Sequence, residues 1–194
     1  MKLSRTVKVG RITNLSDARY CAGMGVHMLG FNAIEGKTDY VSPESFQSLR
    51  GWFTGPAVVA EVYGLNNTET MHAVLRDYLP DFVELGIAEL PFIDLHALAL
   101  IVAANGLPYN QLITYLKPIH NQVAFIMVDS QSPANDINEI AFHYPVLLKL
   151  DRPIESTHLS LPVKGFALEG SPEERPGLKN YDDLAAVLEK LSED

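Results

Sequence analysis

The chain has 194 residues, 47% of them hydrophobic, enough to bury a sizeable core in a single domain spanning 1–194. A net charge of −9 without a basic cluster argues against nucleic acid and anionic membrane surfaces as partners. No apolar run approaches the roughly 20 residues of a membrane span, and the one cysteine, Cys21, excludes an internal disulfide.

Met1-Lys2-Leu3-Ser4-Arg5 runs straight into a strand pattern with no secretory apolar stretch. With the lone thiol suiting a reducing compartment, a cytoplasmic protein is expected. The six histidines, His27, His72, His96, His120, His143 and His158, show no metal-ligand spacing. They read as surface or loop residues, and neither metal nor cofactor is expected.

Short apolar strands alternate with helical patterns, the mark of a parallel α/β sheet. The first strand holds Val7 and Val9 and breaks at Gly10-Arg11; a helix then starts at Asn14 as cap, with Asp17 three residues on. Strand two is Met28–Asn32. Ser42 caps the next helix, Pro43 takes its first position, and Phe46, Leu49 and Phe53 form its buried stripe. Strand three is Ala57–Tyr63, followed by a helix with Met71, Val74, Leu75 and Tyr78 at helical spacing.

Strand four is Phe82–Leu85. The run Ile93–Asn105, apolar nearly all round and ending at Gly106, reads as a helix. Gln111–Leu116 then reads as strand five, with its helix cut down to Pro118–Asn121. Strand six is Val123–Val128, ending on Asp129; a helix follows over Asn135–Phe142. Strand seven is Val146–Leu150, with only Ile154–Leu159 left for its helix. Strand eight is Gly165–Leu168, and the last helix, from Tyr181, carries Leu184, Val187, Leu188 and Leu191 on one face. Eight strands are counted. A barrel of eight such units usually takes about 250 residues, with about 200 near the floor, so some units must be trimmed.

The stretch Lys8-Val9-Gly10-Arg11-Ile12-Thr13-Asn14-Leu15-Ser16-Asp17-Ala18 resembles the opening of the N-(5'-phosphoribosyl)anthranilate isomerases, which read Lys-x-Cys-Gly-x-Thr-x-x-x-Asp-Ala there. Leu29-Gly30-Phe31, Tyr40-Val41-Ser42-Pro43-Glu44, the strand-end Asp129 and Arg175-Pro176-Gly177-Leu178-Lys179-Asn180 continue the likeness in the same order. The resemblance implies a (β/α)8 TIM barrel of the ribulose-phosphate-binding type, here with shortened helices after strands five and seven. It also implies an aldose–ketose isomerase reaction of tryptophan biosynthesis, an Amadori rearrangement. The Asp closing strand six is that family's general acid, and Asp129 matches it. The strand-one Cys is its general base, and Gly10 stands in that place.

A glycine cannot abstract a proton, and a missing general base costs about 10²- to 10⁴-fold. The Arg that holds the substrate carboxylate after strand two is replaced by Asp39, with Lys37 nearby as a substitute. The phosphate of such substrates sits on glycine-rich turns after the last strands. Here Ser130-Gln131-Ser132-Pro133 and Asp151-Arg152-Pro153 stand after strands six and seven, and only Glu169-Gly170-Ser171 keeps a glycine turn.

Several readings of these residues stay open. Asp129 either acts as an acid or merely opens a polar turn. Arg11 either holds an anion or pairs with Asp17 or another carboxylate at the rim. Cys21 reads as a packed core residue.

Strand alternation places Phe125 and Met127 inward below Asp129, with Lys8, Glu61, Glu84, Lys149 and Glu169 inside as well. Buried charges must pair or line a wet pocket, so these five form either a small-molecule site, suited to a cation, or internal ion pairs.

Three functions follow. The first is a divergent barrel without isomerase activity that binds a small molecule at the carboxyl ends of its strands, through Arg11, Glu61, Glu84, Lys149, Glu169, Gly170 and Ser171. The second is a working isomerase with Asp129 as acid and a relocated base. The third is a non-catalytic scaffold, a homodimer formed where the trimmed units after strands five and seven expose barrel wall.

Overall fold

The computed structural model describes residues 2–93, 98–151, 154–170, 173–175 and 178–192. Eight parallel strands close into a barrel in sequence order. They are β1 (Thr6–Gly10), β2 (Met28–Asn32), β3 (Ala57–Glu61), β4 (Phe82–Leu85), β5 (Leu100–Ala103), β6 (Val123–Asp129), β7 (Val146–Lys149) and β8 (Gly165–Glu169). Closure is made by β1 pairing with β8 from Thr6↔Gly165 to Gly10↔Glu169. This is the (β/α)8 barrel expected from the sequence.

The helices are α1 (Leu15–Gly23), α2 (Pro43–Arg50), α3 (Thr68–Tyr78), α4 (Tyr109–Leu116), α5 (Ala134–His143), α6 (Ser156–Ser160) and α7 (Asp182–Lys190). Their starts follow local chemistry. Asn14 caps α1 by accepting from Asp17 N, and Ser42 caps α2 with Pro43 in the first turn. Asp17 is buried, accepting from Thr13 N and from the Tyr181 hydroxyl, which ties the start of α1 to the start of α7. Cys21 is buried in the core as expected.

One stretch differs from the sequence reading. The run Ile93–Asn105 is not a helix: Leu100–Ala103 is β5, and residues 94–97 lie outside the described residues. All four β5 residues are buried, because a barrel strand is covered on both faces and so shows no polar alternation. Conversely, Gln111–Leu116 is not strand five. It belongs to α4, which buries Leu112 and Leu116 at helical spacing, and the 3-10 turn Lys117–Gln122 continues it. The unit after β5 therefore keeps a helix. Reduced cover lies instead after β4, where the described residues form the 3-10 turn Ile87–Phe92, and after β7, where α6 has five residues as expected.

Two cores result. The larger lies between strands and helices; the smaller fills the barrel interior with Met28, Val59, Ile101, Ala103, Met127, Leu147 and Ala167, with Phe82 and Phe125 packed against them. This apolar plug is the floor on which the charged residues stand.

Candidate functional site

A cavity of about 530 Å³ opens at the carboxyl ends of the strands. Its lining includes Lys8, Arg11, Asp39, Glu61, Glu84, Asp129, Lys149 and Glu169. The inward charges predicted from strand alternation are thus brought together in one place.

The deepest layer is a buried cluster. Glu61 and Glu84 are register partners on β3 and β4, so two carboxylates lie side by side, and Lys8 reaches both from across the barrel. Its Nζ lies 2.6 Å from Glu61 Oε1 and 2.5 Å from Glu84 Oε2. The bond to Glu61 is aligned; Glu84 Oε2 has no aligned hydrogen-bond donor. Burial alone would lower the Lys8 pKa, but the charges of Glu61 and Glu84 overcome it and raise it above the ordinary lysine range. Lys8 therefore stays an ammonium ion. Burial raises the Glu84 carboxyl; Lys8 only partly opposes this, and Glu61 adds to it. The Tyr63 hydroxyl donates to Glu84 Oε1 at 2.9 Å, and burial together with that carboxylate lifts its pKa.

Room for this cluster comes from two glycines on neighbouring strands. A Cβ on Gly10 would lie 2.4 Å from Glu61 Oε1 and 3.0 Å from Lys8 Nζ; one on Gly30 would lie 2.1 Å from the same oxygen. The volume that a side chain on residue 10 would need is taken by the Glu61 carboxylate. A carboxylate thus stands over Gly10, where the sequence offered only an empty position.

A second chain of charges crosses the rim. The Arg11 guanidinium donates to Asp39 at 2.7 Å and to Glu169 at 3.3 Å, and Glu169 also pairs with Lys149 at 2.8 Å. Arg11 thus pairs at the rim with Asp39 and Glu169, not with Asp17. Arg11 and Asp39 both have left-handed backbones, with φ of 57° and 61°, a costly conformation for non-glycine residues. Burial opposes ionisation of Glu169, but its bonds to Lys149 and Arg11 win and hold its pKa below the usual carboxylate range. Lys149, though partly desolvated, is raised by Glu169, Asp129 and Glu84.

Asp129 lines the cavity beside Lys149, its register partner on β7. Among the described residues its side chain makes no ion pair or hydrogen bond. Its backbone oxygen accepts from Ser132 N, so Asp129 also begins a turn. Gly170 N donates to Gly10 O at 2.9 Å, which uses that glycine's own backbone donor; Ser171 lies outside the described residues. The Ser130 hydroxyl donates to Asp151 at 3.1 Å, so a carboxylate lies against the turn after β6. Among the described residues no group of three or more His, Cys, Asp or Glu side chains could hold a metal ion, and none of the helices is long and apolar enough to cross a membrane.

Tyr63, Asn32 and Asn105 also line the cavity and were not singled out from sequence. Tyr63 was within reach, since it lies two residues beyond Glu61 and continues the inward alternation past the strand end. Asn32 closes β2 and Asn105 lies just past β5; neither carries a charge that marks it in the sequence.

No protein-family model matches the chain, and no curated protein matches it. Solved structures do. The chain is similar to the monomers generated from dimeric phosphoribosylanthranilate isomerase of Thermotoga maritima, with a TM-score of 0.75 and 17% identity over 96% of this chain and 98% of that one. It is similar to the Thermus thermophilus isomerase, with a TM-score of 0.72 and 18% identity over 96% and 98%. A third similar structure is a phosphoribosylanthranilate isomerase in complex with reduced 1-(o-carboxyphenylamino)-1-deoxyribulose 5-phosphate, with a TM-score of 0.72 and 18% identity over 95% and 97%. The chain therefore has, over nearly its whole length, the fold of the phosphoribosylanthranilate isomerases.

Proposed function

We propose that this chain is a divergent relative of the phosphoribosylanthranilate isomerases that binds a small molecule at the carboxyl ends of its strands and does not catalyse the Amadori rearrangement. The observation that carries this reading is the pairing of cations in the cavity. Lys8, Arg11 and Lys149 each face at least one carboxylate of the same chain. A substrate bearing a phosphate and a carboxylate would have to displace these internal partners at every anchor, against two excess carboxylates. One similar protein holds just such a ligand; here the donor of Gly170 is spent and Asp151 opposes an anion beside β6. Lost anchors remove the positioning on which much of any remaining rate would depend. The test is turnover of phosphoribosylanthranilate by the purified protein, together with rescue of a tryptophan auxotroph. Neither is expected, and either one would overturn the proposal.

A second reading has its own support. The Glu61 carboxylate stands over Gly10 and lines the same cavity as Asp129, so a working isomerase would use Glu61 as relocated base and Asp129 as acid. Any turnover that Glu61→Gln and Asp129→Asn each abolish would establish it. Equal rates in Asp129→Asn and wild type would remove Asp129 from catalysis.

A further inference from the structure

The charge of the cavity says what kind of ligand it takes. Five lining residues carry carboxylates (Asp39, Glu61, Glu84, Asp129 and Glu169) and three carry cations. At the rim, Arg11 and Lys149 are balanced by Asp39 and Glu169. In the floor, Lys8 answers two carboxylates with one charge. Asp129 has no ion-pair partner among the described residues. Two carboxylates are thus left over, one at Asp129 and one within the Glu61–Glu84 pair.

The excess is not simply solvated. Glu84 is 2% exposed and its Oε2 shares the single Lys8 ammonium with Glu61, and apolar Ala103, Met127 and Ala167 line the same cavity. An anion at the edge of an apolar, half-enclosed space is poorly hydrated, so a counter-charge with an apolar body gains more there than in water. A metal ion does not suit the site, since the described carboxylates do not converge as a ligand set.

We propose that the cavity binds a small organic ammonium ion, with Asp129 as its counterion and the Ala103–Met127 wall holding its apolar part. This rests on the small-molecule reading above and names the class of molecule. The ammonium replaces the missing partner of Asp129, and its alkyl portion packs on β5 and β6, where Ala103 and Met127 are register partners. The Tyr63 hydroxyl, which spends its proton on Glu84, keeps its oxygen lone pairs free to accept.

The test uses the intact protein and four probes, with calorimetry and thermal shift: n-butylammonium, n-butanol as its uncharged counterpart, inorganic phosphate and ribose 5-phosphate. The amine binds with one-to-one stoichiometry and raises the melting temperature, while the alcohol and both phosphates do neither. Asp129→Asn weakens amine binding about tenfold or more, the loss of one charged hydrogen-bond partner. Glu84→Gln, which removes the other of the two excess carboxylates, weakens it by less. Amine binding unchanged in Asp129→Asn, equal binding of the alcohol, or no amine binding at all would overturn the proposal. Phosphate binding without amine binding would do so too, while leaving a small-molecule site in place. Turnover of phosphoribosylanthranilate would instead overturn the parent reading.

Discussion

The buried cluster lends itself to a direct measurement. Lys8→Met keeps the length and most of the volume of the side chain but removes the ammonium from between Glu61 and Glu84. Both carboxylates are buried, at 7% and 2% exposure, and they are register partners on adjacent strands, so without Lys8 they would face each other in an apolar interior. Breaking a buried ion pair by removing one partner costs about 3–5 kcal/mol, because the remaining charge is left uncompensated. Here the Tyr63 hydroxyl still satisfies one Glu84 oxygen, which points to the lower half of that range near neutral pH. For a chain of 194 residues each kcal/mol shifts the melting temperature by about 2–4 °C, so a fall of about 6–16 °C is expected. The loss depends on pH in a definite direction. Burial already makes the folded Glu84 carboxyl hold a proton more tightly than in the unfolded chain, and without Lys8 nothing opposes it, so the variant loses more stability as pH rises through that raised value. Urea unfolding at a mildly acidic and at a neutral pH should show the larger deficit at the neutral pH, with the slope m unchanged. A deficit below about 1 kcal/mol near neutrality, within the range of a surface pair, would refute the account of the cluster. So would an equal deficit at both pH values.

The remaining predictions concern other parts of the frame. Glu84→Gln should flatten the pH dependence of stability, because the raised Glu84 carboxyl makes the native state lose stability as pH climbs from the ordinary carboxylate value through its own; a variant as steep as wild type in urea titrations contradicts this. Gly165→Ala places a Cβ 2.0 Å from the Thr6 backbone oxygen at the β1–β8 closure, where no side chain can move aside. It should cost about 3 kcal/mol or more, read as a lost cooperative transition or a large fall in the urea midpoint, and a soluble variant of wild-type stability would show that the barrel does not close there. Asn14→Ala removes the cap that accepts from Asp17 N and should cost about 1 kcal/mol, with Asn14→Ser restoring most of it; no change in Asn14→Ala would mean that the α1 cap contributes nothing.

The order of elements was legible in the residues where strands alternate with capped helices. Met28–Asn32 and Phe82–Leu85 were read to the residue, as were the caps Asn14 and Ser42. Strand five was misplaced because Leu100–Ala103 is buried on both faces, and a strand without a wet side carries no period of two. Alternation from Asp129 and from the apolar strands also told which charges point inward, since that depends only on the pleat. Which of them meet does not follow from the pleat. Lys8 and Glu61 are 53 positions apart and touch because β1, β2 and β3 curve into a cylinder, with Gly10 and Gly30 leaving the gap through which Glu61 reaches. The pairing of Arg11 with Asp39 and Glu169 likewise needs the closure of β8 on β1. Local chemistry names the groups and the side of the strand they occupy; barrel closure assigns their partners, because Coulomb energy depends on distances across the barrel that no local pattern contains.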